Sequence, residues 1–292
     1  MAQLLLLKKG QYSFDENVTS IAHKFQVLDL SDLRTRYNFG HTCLDITIRN
    51  SLGKNEILSI REMLSAYQID VLFIETYVDK TIPNVFCFDM DSTVLREEVI
   101  DELARKHGVF EQVSLVTKQA MEGGMPFDEA LKLRVKLLKG LSRESFEEVY
   151  KLLHLNPGMD VVLRELPFHH SLITILSGGF TPVLEMFATK YPIHFFKANE
   201  LEENHGFFTG EILGEIINKE KKAFYLDKIK NERMISNPQV VAVGDGANDG
   251  LMLQSAGIGI GFHAKQGLKD QITNWIDFCD MSVLLFLFRP SI

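Results

Sequence analysis

The chain has 292 residues, 46% of them hydrophobic and 24% charged, which suits a soluble globular protein of one large or two ordinary domains. Its formal net charge of −8 argues against nucleic acid or an anionic membrane surface as partner, because both reward basic faces. The three cysteines, Cys43, Cys87 and Cys279, form no CxxC and offer neither a zinc site nor a disulfide framework, which fits a reducing cytoplasm.

The opening run Leu4 to Leu7 is followed, not preceded, by Lys8-Lys9, the reverse of a signal peptide's order. The apolar run near the end, Val283 to Phe288, is far short of the ~20 residues of a membrane span. A soluble cytoplasmic protein is therefore expected. Phe25 to Leu30 and Cys43 to Ile48 alternate apolar and polar residues, as half-buried strands do. Ile57 to Tyr67 carries Ile57, Ile60 and Leu64 on one helical face, and Val71 to Ile74 reads as another strand. These segments predict a small α+β module over residues 1–82, bounded at Thr81-Ile82-Pro83-Asn84, where proline halts the preceding element.

The next stretch changes character. Val85-Phe86-Cys87-Phe88 is apolar without alternation, as in a parallel strand covered on both faces. It runs straight into Asp89-Met90-Asp91-Ser92-Thr93. Open α/β sheets bind ligands beyond the carboxyl ends of their strands, and two carboxylates there are costly unless a cation or a reaction uses them. A helix cap would account for Asp91 or Ser92 but not for a second acid.

Residues 97 to 107 set Val99, Ile100, Leu103 and Ala104 on one helical face, and Phe127-Asp128 opens a helix carrying Leu131, Val135 and Leu138. Ser145-Phe146-Glu147-Glu148 resembles a capping box, and Asn156-Pro157-Gly158 ends the stretch. About 60 helical residues are too many for a simple crossover, so an inserted helical cap over about 97–165 is expected. Beyond it come Leu172 to Leu176 leading into Ser177-Gly178-Gly179, a hairpin around Phe207 to Ile212, and a helix from Lys221 to Ile229. Val240 to Val243 then leads into Gly244-Asp245-Gly246-Ala247-Asn248-Asp249, and Ile258 to Phe262 is a last buried strand. The alternation predicts an α/β fold with a doubly wound, Rossmann-like parallel sheet over residues 83–292.

In such a sheet the clusters Asp89/Asp91/Thr93, Ser177/Gly178 and Asp245/Asn248/Asp249 share one edge. Gathered carboxylates make a hard-oxygen site that magnesium fits best. With charge neutralised, one aspartate could attack a phosphate as nucleophile and the second serve as general acid and base. Backbone N–H groups and a hydroxyl at residues 177–179 suit a phosphate, although Ser-Gly-Gly is also an ordinary turn. Gly244-x-Gly246 is not a dinucleotide fingerprint, because Asp249 stands where glycine is expected, and no Walker A sequence is present. Lys222 opens a helix, where a lysine opposes the macrodipole.

These clusters, in this order, resemble the haloacid dehalogenase superfamily of phosphohydrolases. Asp89-Met90-Asp91-Ser92-Thr93 is similar to its first motif, Ser177 to its second, Lys222 to its third and residues 244–249 to its fourth. Within it the chain looks most like the phosphoserine phosphatase family. Further similarity lies in Glu98, in Met121-Glu122-Gly123-Gly124-Met125-Pro126-Phe127, in Arg134, in Leu176 to Phe180 and in Gly261-Phe262-His263-Ala264-Lys265. Met90 stands where that family more usually has phenylalanine, and stays apolar.

The resemblance implies that Asp89 is the nucleophile and Asp91 the acid and base. It implies magnesium held by Asp89, the Asp91 backbone carbonyl and Asp245, with Asp249 supporting that shell. Ser177, Gly178 and Lys222 would hold the phosphoryl group, Glu98 the substrate ammonium, Arg134 its carboxylate, and Asn248 a substrate or phosphate oxygen. The implied reaction is hydrolysis of O-phosphoserine to serine and phosphate through an aspartyl-phosphate, the last step of serine biosynthesis. Phosphotransfer to another hydroxyl acceptor such as homoserine, and a non-catalytic serine- or phosphate-binding module, are the alternatives. The N-terminal module resembles the small ACT-like domains attached to some of these enzymes, and regulatory, homodimer-forming and docking roles stay open for it.

Overall fold

The unbroken run Leu4 to Leu7 forms the middle of the first strand, an element that the alternation test passes over because both faces of the strand are covered. In the computed structural model, which describes residues 2–24, 28–48, 52–121 and 123–290, the N-terminal unit is β1 (Ala2–Lys9), α1 (Asp15–Lys24), β2 (Leu28–Asn38), β3 (His41–Ile48), α2 (Lys54–Ser65) and β4 (Asp70–Ile74). Phe25, Gln26 and Val27 of the first expected strand lie outside the described residues; β2 continues that expectation from Leu28. β1 lies antiparallel between β3 and β4, and β3 pairs antiparallel with β2.

Along the rest of the chain, β5 (Asn84–Phe88) is separated from β6 (Ser171–Phe180) by α3 (Val99–His107), α4 (Phe110–Met121), α5 (Phe127–Leu137), α6 (Arg143–Tyr150) and α7 (Met159–Glu165). Then follow α8 (Thr181–Lys190), β7 (Phe195–Asn204), β8 (Phe207–Leu213), α9 (Lys219–Glu232), β9 (Val240–Gly244), α10 (Gly250–Ser255), β10 (Ile258–Phe262), α11 (Gln266–Lys269) and β11 (Trp275–Ile276). The helix expected to start at a Ser145 capping box starts instead after Ser142, and Ser145 is buried in its first turn. The β7–β8 hairpin is present, with Asn204 paired to Phe207.

One mixed sheet runs through the molecule in the order β2-β3-β1-β4-β11-β10-β9-β5-β6-β7-β8. The six strands from β11 to β7 are mutually parallel, as the alternating pattern predicts, while β8 and the N-terminal strands are antiparallel additions. The sheet is therefore mixed rather than parallel throughout. The expectation that Cys43 to Ile48 is half-buried also fails: all eight residues of β3 are buried. Leu44, Ile46 and Ile48 pack with residues of α1 and α2, while Cys43 on the other face packs with Phe286 and Phe288. The apolar run near the C-terminus is thus a cover for the N-terminal sheet, wound as a 3-10 helix over Met281–Leu287.

The N-terminal strands join the rest through buried polar contacts at β4. Asp70 has no solvent exposure. It accepts backbone N–H bonds from Asp277 (2.7 Å), Phe278 (3.0 Å) and Cys279 (2.8 Å). Arg61 donates to the Trp275 carbonyl at 2.6 Å and stacks on that indole at 3.9 Å from its centroid. Asp70→Ala would leave the buried N–H of Cys279 and the partly buried ones of Asp277 and Phe278 without their acceptor, at about 1–3 kcal/mol for a buried unsatisfied group. We expect a denaturant midpoint lowered by the equivalent of roughly 1–3 kcal/mol with an unchanged m-value; a midpoint within error of wild type would contradict this docking role.

Candidate active site

Buried apolar strands end where the polar clusters begin, so the parallel sheet delivers them to one edge. Asp89 follows the last residue of β5, and its N–H donates to the Val243 carbonyl of β9 at 2.9 Å. The chain then turns through Met90–Val94, with Leu95 N–H bonding back to the Met90 carbonyl at 2.9 Å. The fourth cluster folds around Asp249, whose Oδ2 accepts the N–H groups of Asp245 and Gly246 at 3.1 Å each. Gly244 is required there: a Cβ at that position would lie 2.5 Å from the Asp249 carboxylate.

Lys222, in the first turns of α9, has no solvent exposure, and its Nζ lies 2.6 Å from both Asp89 Oδ1 and Asp249 Oδ1. Burial would lower the ammonium pKa, but the charges of Asp249 and Asp89 outweigh it and hold Lys222 above its ordinary value. One cation does not balance the acids around it. Asp89 is pushed up to about 8, by burial first and by the Asp249 charge next, against the pull of Lys222. Asp245 is raised to about 6, again by burial first, while Lys265 opposes the shift from 2.8 Å. Oxygens of Asp89, Asp245 and Asp249 lie within 4.8 Å of one another, all buried. Three buried carboxylate groups with too little positive charge among them fit a divalent cation, which would relieve their repulsion.

The Asp91 carboxylate lies outside this trio. Its Oδ1 accepts the Val99 N–H at 3.4 Å. Burial, then the charges of Glu98 and Asp89, hold its pKa well above the carboxylate range. Glu98, at the N-cap of α3, accepts from Ser92 Oγ at 2.9 Å and from Lys265 Nζ at 3.4 Å. Arg134, in the last turn of α5, donates only to its own helix at Ala130 (3.3 Å) and makes no ion pair among the described residues. Burial lowers its pKa while Glu98 and Asp101 counteract that.

Ser177 is buried, and its Oγ accepts the Gly179 N–H at 2.9 Å. The strand does not stop there as expected; β6 continues to Phe180 with a register shift against β7 between Leu176 and Phe180. Asn248 is half-buried, with its Nδ2 3.4 Å from Asp249 Oδ1.

Asp89, Asp91, Glu98, Arg134, Gly178, Asp245 and Asn248 all line one cleft of about 1210 Å³, between the sheet edge and α3, α4 and α5. Lys222, Ser177 and Asp249 are buried next to it rather than in its wall. Sequence reasoning gave Lys265 no role, although it lines the cleft and bridges Asp245 to Glu98. It also missed Asn199, fully buried in β7, whose Nδ2 donates to the carbonyls of Gly178 (2.8 Å) and Gly179 (3.1 Å). A lone amide after Phe195-Phe196-Lys197-Ala198 was the available signal.

Carboxylates and a buried lysine at the carboxyl edge of the six parallel strands, under a helical wall, define a Rossmann-like α/β site of the kind that binds its ligand beyond the strand ends. Residues 86–254 match the family described as haloacid dehalogenase-like hydrolase, and the chain belongs to that family. Its relatives there include the phosphoserine phosphatase of Archaeoglobus fulgidus, 44% identical over 183 residues, an alignment covering 63% of this chain and 53% of that relative's own length. The solved structure of a HAD family hydrolase from Salmonella enterica serovar Typhi aligns over 100% of this chain and 99% of its own, at 26% identity and a TM-score of 0.89. A solved phospho-aspartyl intermediate analogue of phosphoserine phosphatase covers 71% of this chain and 99% of its own, at 36% identity and a TM-score of 0.66.

The raised carboxyl pKa values predict how the metal-free protein responds to pH. Asp89 near 8 and Asp245 near 6 keep protons that the unfolded chain, near 3.8, has released. Stability in chelator should therefore fall as pH rises from about 5 to 8. Asp89→Asn removes one of these titrations, so thermal melts in chelator should decline with pH less steeply for that variant than for wild type. Parallel declines would show that Asp89 is ionised throughout.

Proposed function

We propose that the chain is a magnesium-dependent phosphoserine phosphatase, hydrolysing O-phosphoserine to serine and phosphate through a phosphorylated Asp89. The observation that carries this reading is the sharing of one cleft by two chemistries. Asp89 and Asp91 line its sheet side, and Glu98 and Arg134 line its helical side. O-phosphoserine carries a phosphate at one end and an ammonium and a carboxylate at the other, so it needs both. An arginine with no ion pair among the described residues, in a partly buried wall, is suited to a carboxylate. The helices between β5 and β6 act as a cap over the amino-acid end. The order βαββαβ at the N-terminus supports the ACT-like reading of that module.

Asp89, Asp245 and the Asp91 backbone carbonyl would hold magnesium. Asp249 supports that shell from behind, because its Oδ1 is taken by Lys222 and its Oδ2 by two backbone N–H groups. When bound, magnesium supplies positive charge that lets an ionised Asp89 approach an anionic phosphate. The Asp89 carboxylate attacks phosphorus while Asp91, whose carboxyl burial and the charges of Glu98 and Asp89 push toward the protonated form, gives its proton to the departing serine oxygen. Asp91, now a carboxylate, takes a proton from the water that cleaves the acyl-phosphate. Lys222, Ser177 and the backbone of Gly178 neutralise and orient the phosphoryl oxygens, and Asn248 donates to a substrate oxygen. Closure of the helical wall excludes competing nucleophiles.

Phosphate release from O-phosphoserine, O-phosphothreonine and p-nitrophenyl phosphate tests the reading, with and without homoserine. O-phosphoserine should be the preferred substrate, magnesium should be required, and added homoserine should not divert the phosphate. Arg134→Ala should cost roughly 2–5 kcal/mol for loss of a desolvated charge partner, or about 30- to 4,000-fold in kcat/KM for O-phosphoserine. It should leave p-nitrophenyl phosphate, which has no carboxylate, nearly unchanged. Equal losses on both substrates would remove Arg134 from the carboxylate role.

A further inference from the structure

The two segments that tie the helical insertion to the sheet cross one another beside the catalytic loop. Leu95 and Leu155 form an antiparallel bridge. Arg96 donates from its N–H to the His154 carbonyl and from Nε to the Leu155 carbonyl, both at 2.9 Å, and His154 N–H donates to Glu97 Oε2 at 2.9 Å. Asn156 sits at the centre of this crossing and is 8% exposed. Its backbone N–H donates to the Val94 carbonyl at 2.9 Å. Its Nδ2 lies 3.1, 2.8 and 2.9 Å from the carbonyls of Ser92, Thr93 and Leu95. Four successive carbonyls of the loop after Asp91 thus converge on one residue. Buried carbonyls need donors, and Asn156 brings them to this loop from 61 to 64 residues away along the chain.

The turn they close holds Ser92 at φ +57°, a left-handed conformation that a serine adopts only when its surroundings enforce it. In that conformation Ser92 Oγ donates to Glu98 Oε1 at 2.9 Å. The other donor to Glu98, Lys265, is farther away at 3.4 Å and half-exposed.

We propose that Asn156 is a positioning residue for substrate selectivity: its amide holds the Ser92–Leu95 carbonyls, which fixes Ser92 in the left-handed conformation that aims Glu98 at the amino end of the substrate. The proposal rests on the phosphoserine phosphatase reading, since it concerns the contact that tells an amino-acid phosphate from any other. Asn156 touches neither substrate nor metal in this scheme; it acts through Ser92 and Glu98.

The test compares kcat and KM for O-phosphoserine and p-nitrophenyl phosphate, at saturating magnesium, in wild type, Asn156→Ala, Ser92→Gly and the double variant. Ser92→Gly accepts the left-handed backbone and removes only the hydroxyl, so it reports on the relay even where Asn156→Ala fails to fold. Each single change should lower the ratio of kcat/KM for O-phosphoserine over p-nitrophenyl phosphate by roughly 10- to 100-fold, the worth of one hydrogen bond to a charged group. The loss should lie mainly in KM for O-phosphoserine. The double variant should lower the ratio no further than the larger single change, because both act on one element. An unchanged ratio in Ser92→Gly, equal losses on the two substrates in Asn156→Ala, or multiplying losses in the double variant would overturn the proposal alone. A wild type without preference for O-phosphoserine would overturn the functional reading and the proposal together.

Discussion

An ammonium group with no access to water, pinned at 2.6 Å between two buried aspartates, is the constraint on which the rest of the site depends. Removing the lysine would leave both buried acids without their shared counter-charge, which costs several kcal/mol. Lys222 therefore fixes the distance between the end of β5, where Asp89 stands, and the loop after β9, where Asp249 stands. Those strands are already neighbours in the parallel sheet, and the lysine locks their carboxyl ends into one rigid floor. It also leaves the floor short of positive charge, since Asp89 and Asp245 are still pushed to about 8 and about 6. That shortfall is what makes the floor receptive to a divalent cation.

The wall of the cleft is built on different terms. Glu98 and Arg134 come from helices outside the sheet and are only partly buried. Glu98 is oriented by the donors Ser92 and Lys265, and Arg134 bonds only to the Ala130 carbonyl of its own helix among the described residues. In the proposed phosphatase, the charged floor would arrange the reacting atoms and the wall would discriminate among what they are attached to.

Much of this was legible in the sequence because it follows from local chemistry. The apolar run of β5 ending in two acids and the acidic loop after Val243 each mark a strand end by an abrupt change of polarity, whereas the Ser-Gly-Gly after Leu176 marks a register shift inside β6. What escaped depends on contacts distant in sequence. β1 was hidden because its Leu4 to Leu7 run does not alternate, and β3 was misread as half-buried because its second face is covered by Phe286 and Phe288, over 230 residues away. Asn156 and Asn199 escaped for the same reason: an amide that satisfies backbone carbonyls of another segment has no periodic signature. Lys265 looks like any surface lysine until the fold brings it to Asp245.

The central claim is that Asp89 carries the phosphoryl group. Its most direct test is to quench the enzyme in acid during turnover of O-phosphoserine with magnesium, reduce with borohydride, which converts an aspartyl-phosphate to homoserine, and locate the changed residue by peptide mass spectrometry. The change should fall on Asp89 and nowhere else. A modification at Asp91 or Asp245, or turnover at full rate with Asp89 unmodified at every quench time, would contradict the account.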